Sequence, residues 1–354
     1  MKDKQFFKNK ENKKILKSTM IKIALFTVAS LFVGAGAFYV PKTKLPNPNS
    51  IALNSTVSNT NVPDTAASKT SLDTTNSEHK SVSMLFNPAA PAVEQAKMLL
   101  RKVGLTGKCS SELAILDANF AERVGQTCQI SRDQIRAYLN TNHVNEWEVG
   151  GTLDMPLSSV KDGNGNVTFA KYMVIHDTSF PRYGEDFPSD INDDTWEWNR
   201  LGRWVARVTH IYVNRIGDSK TMTPFHDGMT ATKLERYVLG DGATKGLYLH
   251  VELIQPRKAR KGFGRHNDVD APSPGFTDAQ YKRLALLYTI ASVRKGEWLI
   301  PAFHACVDSG IKFAHDDPQN FEIDKFFKYL NEVRTEAESF TVTQSKVGSS
   351  SGGK

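Results

Sequence analysis

Cysteine is scarce in this chain, with three residues (Cys109, Cys128 and Cys306) among 354. Excess positive charge is scarce too once the N-terminus is set aside. The formal net charge is +7, but residues 1–37 carry eight lysines against Asp3 and Glu11, or +6, leaving 7 − 6 = +1 for everything else. Without a basic face on the body there is no nucleic-acid footprint, so nucleic acid is excluded as a partner. No cysteine closely follows the one long apolar run, which argues against lipid attachment there.

That run, Ile21 to Val40, lies behind the lysine-rich stretch. The pattern is that of a secretory signal or of an anchor held in the inner membrane. Ala35-Gly36-Ala37 offers a cleavage site, whereas the length approaches the roughly 20 residues that span a bilayer. Both outcomes stay open, and in either the body is exported to the periplasm or cell envelope. Residues 41–87 are rich in Ser, Thr, Asn and Pro without helical or strand period, which reads as a flexible linker.

Export permits disulfides. Cys109 and Cys128 look like a pair, yet Ser110 to Val124 reads as a helix with Leu113, Leu116, Phe120 and Val124 on one stripe. Fifteen helical residues rise about 22 Å, and four linking residues reach back at most about 14 Å. Bridged Cα atoms must lie within about 7 Å. A continuous helix therefore disfavours this bridge. Cys306 reads as a small buried filler, not a ligand.

Residues 88–150 are expected to form a helical region packed on the domain C-terminal to it, with segments at Ala92–Lys102, Ser110–Val124 and from the capping box at Ser131. No chemistry is evident there. Beyond it, Val167–Ile175, Val208–Asn214 and Leu247–Ile254 read as strands. Thr277 opens a helix with Tyr281, Leu284, Leu287, Tyr288 and Ala291 on one face, and Phe321–Val333 makes a closing helix. Strands feeding helices predict the α/β class, a mixed central β-sheet flanked by helices, over 151–333. Residues 334–354 lose their pattern and read as a disordered tail.

The densest set of metal-type ligands is Leu299 to Phe321, with His304, His315, Asp316 and Asp317. Neutral imidazoles with a carboxylate suit a borderline-soft divalent cation such as zinc. Upstream, Tyr172 to His176 reads as a strand ending in a histidine. Glu252 lies on the strand Gly246 to Gln255 and can face the same cleft. There Leu249, Val251 and Leu253 are expected to face the core, and His250 and Glu252 to face away.

The order is strand-His, then Arg-Val-Thr-His-x-Tyr-Val-x-Arg-x-Gly over Arg207 to Gly217, then strand-Glu, His, and Asp-Pro-x-x-Phe. It resembles the zinc-dependent N-acetylmuramoyl-L-alanine amidases of the phage-lysozyme and peptidoglycan-recognition type, over residues 150 to 330. The resemblance implies a zinc cleft with His176, His304 and Asp317 as ligands and Glu252 as the catalytic acid/base. It also implies a peptidoglycan or muropeptide substrate. Where many relatives carry an oxyanion-donating lysine this chain has His315, so that role passes to His315; the alternatives are that His315 braces the loop or replaces Asp317 as third ligand. His210 matches a histidine that shapes the cleft, His226 falls where relatives carry a substrate loop, and His266 reads as exposed. Thirteen residues separate His304 from Asp317, which implies a small loop insertion. The family's Trp-His-Ala-Gly element is missing after His226, where Met229-Thr230-Ala231-Thr232 stands. Two rival readings are a non-catalytic peptidoglycan-binding module and an amidase delivered to competitors.

Overall fold

Local signals set several element boundaries directly. Ser131 and Thr277 each accept the backbone N–H three residues on, while Gln134 and Gln280 return a side-chain acceptor, completing two capping boxes. Gly296, at φ 80°, ends the long helix in the left-handed region that glycine enters without a Cβ clash.

The computed structural model describes residues 87–104, 108–240, 242–260 and 269–341. The expected signal or anchor, nearly all of the linker and most of the tail lie outside them, as does His266. Among the described residues no helix is long and apolar enough to cross a membrane.

In chain order the elements are α1 (Ala92–Leu99), α2 (Ala118–Arg123), α3 (Arg132–Thr141), β1 (Ser159–Lys161), β2 (Val167–Phe169), β3 (Tyr172–Asp177) and β4 (Arg182–Tyr183). They continue with β5 (Ile211–Val213), β6 (Ser219–Thr221), a π-helical segment over Leu234–Gly240, β7 (Tyr248–Leu253) and β8 (Arg257–Lys258). The last are α4 (Asp278–Lys295), β9 (Ile300–Phe303), α5 (His304–Val307) and α6 (Ile323–Ser339).

The five-stranded sheet has the order β6-β5-β7-β3-β9. β5, β7, β3 and β9 run parallel and β6 antiparallel, so the sheet is mixed, flanked by helices. Every residue of β3 is buried, as expected for a central parallel strand covered on both faces. α4 packs against α6, and Leu284, Leu287, Tyr288 and Ala291 lie in the same apolar core as Val174, Val251 and Ala302.

Three sequence expectations are corrected. The strand expected over Val167–Ile175 breaks at Ala170-Lys171 into β2 and β3, which belong to different sheets. The helix expected over Ser110–Val124 forms only as α2, because Ser110 and Ala114 donate their N–H groups to Lys102 and Lys97 carbonyls, and Asp117 caps Phe120 N at 3.0 Å. The closing helix runs on to Ser339, past the expected start of the tail.

The cysteines are the fourth correction. Cys109 bonds to Cys306 with Cα atoms 5.5 Å apart, and Cys128 is free and buried. Cys306 is thus half of a bridge that ties the N-terminal segment to α5, directly behind His304. The N-terminal helices share the main core: Ala96, Leu99 and Leu100 join Phe303 and Val307 in it, and α1 packs on β9.

Candidate metal centre

Register brings the site together. In the parallel ladders His176 stands opposite Glu252, Glu252 opposite Tyr212, and Ile175 opposite Phe303. His304 comes immediately after Phe303, so His304, His176 and Glu252 end neighbouring strands at their carboxyl edge. That edge is where open α/β sheets place ligands. A cleft of about 560 Å³ opens there, lined among others by His176, Glu252, His304, His315 and Asp317.

Asp317 is delivered by the loop between α5 and α6. Asp177 N donates to Asp317 Oδ2 at 3.1 Å, and Ala305 N to its carbonyl at 2.9 Å. Gln319 N donates back to Asp177 Oδ2 at 3.1 Å, and Arg257 pairs with the same oxygen at 2.9 Å. The end of β3 and the loop are thereby clamped to each other.

His176, His304 and Asp317 form a buried cluster that can hold a metal ion, their ligand atoms all within 4.8 Å of one another. His176 Nδ1 is 2.9 Å from His304 Nδ1 and 3.7 Å from Asp317 Oδ2, while His304 Nδ1 is 3.1 Å from Asp317 Oδ1. His315 stands apart. Its side chain is 55% exposed, stacks on His304 at 4.4 Å, and places Nδ1 3.8 Å from Asp317 Oδ1. It sits at the mouth of the cleft, outside the cluster.

The charge states fit a cation. Burial and the surrounding histidines push His176 well below its usual value, so it is neutral with a lone pair to offer. Burial opposes charge on His304, but Asp317 and Asp308 outweigh it and raise its pKa to about 10. In the metal-free protein His304 therefore carries the proton that bridges the cluster. Burial, then the neighbouring Asp317 and Asp177 carboxylates, lift Glu252 well above the carboxylate range. One of its oxygens is buried without a partner. Two converging imidazole nitrogens, a carboxylate and an orphaned carboxyl oxygen make a donor set of the type zinc takes.

Two further histidines, His210 and His250, lie buried beside the cluster. On the face of β7 carrying His250 and Glu252, His250 is fully buried and Glu252 is half-buried at the cleft. His210 Nδ1 accepts from His250 N at 3.0 Å, and its Nε2 donates to the Asp227 carbonyl at 3.1 Å. His226 is not among the cleft-lining residues.

Sequence reasoning missed the residues behind the ligands. His176 Nε2 lies 3.1 Å from His250 Nδ1, and His250 Nε2 lies 3.3 Å from Glu235 Oε2. His304 Nε2 lies 3.0 Å from Asp308 Oδ2, close but poorly aligned for a hydrogen bond. Legible signals existed for both carboxylates. Thr232-x-x-Glu235 is a capping-box spacing, and His304 and Asp308 are an i, i+4 pair.

No protein-family model matches this chain, and no curated protein sequence does. Among solved structures it is similar to the crystal structure of an Se-Met AmpD derivative, at 16% identity and a TM-score of 0.28, covering 51% of this chain and 97% of that one. At that score and identity the similarity assigns neither fold nor activity.

Proposed function

We propose that this protein is a zinc-dependent amidase that cleaves the bond between N-acetylmuramic acid and L-alanine in peptidoglycan. The observation that carries the reading is the convergence of His176 Nδ1, His304 Nδ1 and the Asp317 carboxylate beside the unpartnered Glu252 oxygen. The substrate comes from the ordered resemblance of residues 150 to 330 to that amidase family. Export, through a cleaved signal or a retained anchor at residues 21–40, belongs to the same proposal.

His176, His304 and Asp317 would hold the zinc, which polarises an amide carbonyl and makes water nucleophilic near neutral pH. Glu252 is the proton carrier. It takes a proton from the attacking water and passes it to the leaving amine nitrogen. Its raised pKa in the metal-free protein comes from burial and two neighbouring carboxylates, and a bound cation opposes those charges and shifts it toward the anion. His315, at the mouth, donates an N–H to the developing oxyanion. Partial desolvation at the cleft mouth and the nearby His304 hold its pKa down, so it donates as a neutral imidazole. Arg182 and Arg236 line the same cleft and suit the carboxylates of a stem peptide.

Digestion of purified sacculi, followed by mass spectrometry, tests the reading. Lactyl-terminated glycan and free L-alanyl peptides, lost on chelation and restored by zinc, are the expected products. Binding to sacculi without release would leave a peptidoglycan-binding module instead.

A further inference from the structure

Behind the ligand cluster lies a second set of buried ionisable groups that the proposed reaction does not use. Glu235, His250 and Asp308 are all completely buried. Burying a carboxylate costs several kcal/mol unless it is paired and hydrogen-bonded, so two such groups in one place need a reason.

Their connections give one. Glu235 Oε2 accepts from Ala231 N at 3.1 Å, Thr232 N at 3.0 Å and Thr232 Oγ1 at 2.9 Å. The same oxygen lies 3.3 Å from His250 Nε2, within ion-pair distance but not aligned as a hydrogen bond. A carboxylate there selects the Nε2–H form of His250, whose Nδ1 is left as an acceptor. His176 Nε2, 3.1 Å from that Nδ1, must then carry its own proton and donate it. The outcome two imidazoles away is a His176 whose Nδ1 lone pair points into the ligand cluster.

The other arm starts from the same turn. Lys233 N and Leu234 N donate to the Asp308 carboxylate at 3.2 and 2.9 Å, and Asp308 stands 3.0 Å from His304 Nε2. The five residues Ala231–Glu235 thus reach both imidazole ligands from behind, and Ala231 also lines the cleft.

We infer that the turn Ala231–Glu235 is the positioning device of the metal centre. Through Glu235 and His250 it sets the tautomer of His176, and through Asp308 it orients His304. This rests on the metal-site part of the proposed function and not on the substrate. Partners of this kind typically change metal affinity 10–100-fold.

The test reads tautomers and zinc affinity, not turnover. In metal-free wild-type protein, nitrogen-15 NMR of the histidine rings should show His176 and His250 both protonated at Nε2 and not at Nδ1. Zinc affinity, from competition with a chromogenic chelator, should fall about 10–100-fold in Glu235→Leu. Glu235→Gln can keep an oxygen under the Ala231 and Thr232 N–H groups. It should hold the wild-type tautomers and recover most of the affinity. Protonation of wild-type His176 at Nδ1 would overturn the inference even if no variant folds, as would unchanged zinc affinity in folded Glu235→Leu. Wild-type protein with the expected tautomers but no zinc binding would instead sink the metal reading and leave the relay standing.

Discussion

His176 Nδ1 and His304 Nδ1 face each other at 2.9 Å in the buried floor of the cleft. Two imidazole nitrogens at that separation cannot both present bare lone pairs, nor both carry protons. Something positive must sit between them, either a shared proton or a cation. Metal binding, catalysis and pH dependence all turn on which of the two is present.

Zinc should bind at one per chain and depend on the three clustered side chains. His176→Ala and His304→Ala are each expected to lose stoichiometric metal, measured by elemental analysis after desalting. His315→Ala should keep it, because His315 stands at the mouth of the cleft. Retention of zinc by His304→Ala would show the centre to be misplaced.

Glu252→Gln should fold, bind zinc and lose about 10²- to 10⁴-fold in turnover, as for a general base. His315→Ala, with zinc retained, should lose about 10²- to 10³-fold, and His315→Lys should recover part of it. Muropeptide release from sacculi measures both. Full activity in zinc-loaded His315→Ala would reduce His315 to a loop brace.

The pH dependence should invert on metal binding. The ordinary histidine value is 6.5, and in the folded metal-free protein His304 is raised to about 10. A raised folded value means that the folded state holds the extra proton. The stabilisation is fully present below about 6.5 and is lost as pH climbs through about 10. Glu252, also raised, acts in the same direction. The metal-free protein should therefore melt at progressively lower temperature from pH 6.5 to 10. Zinc displaces the His304 proton, so its affinity should rise by up to about tenfold per pH unit across that range. Calorimetric melting with and without zinc checks both slopes.

The Cys109–Cys306 bridge spans 197 residues of sequence, so its removal should be costly. Cys109→Ala is expected to lose about 2–5 kcal/mol of stability, and reductant should do the same to wild-type protein. Cys128→Ala should leave the effect of reductant unchanged. Its buried thiol, pushed up to about 11, has no bridge to lose. Denaturant titrations with and without reductant measure the difference.

Much of the secondary structure was legible because its causes are local. The two capping boxes and the stripe of α4 are set by residues a few positions apart, and so is β7. The reading failed where a distant partner competed. The stripe from Leu113 to Val124 is a good helical pattern, but the Lys97 carbonyl takes the Ala114 N–H that a helix begun at Ser110 would need. Only α2 of that helix forms, so its length does not decide the pairing; α1 packs on β9, and Cys109 bonds to Cys306 in the helix that follows it.

From the sequence alone came the ligand types and their order along the chain: histidine at a strand end, glutamate on a strand, then histidine and aspartate. Side-chain chemistry and short-range periodicity suffice for that. Tertiary structure decided which of them meet. The parallel register puts His304, His176 and Glu252 at neighbouring strand ends, and the clamp from Asp177 selects Asp317 over His315 for the cluster. It also placed Glu235 and Asp308 behind the two imidazoles. A buried carboxylate and its partner can lie anywhere in the chain, and only their approach in space offsets the cost of that burial.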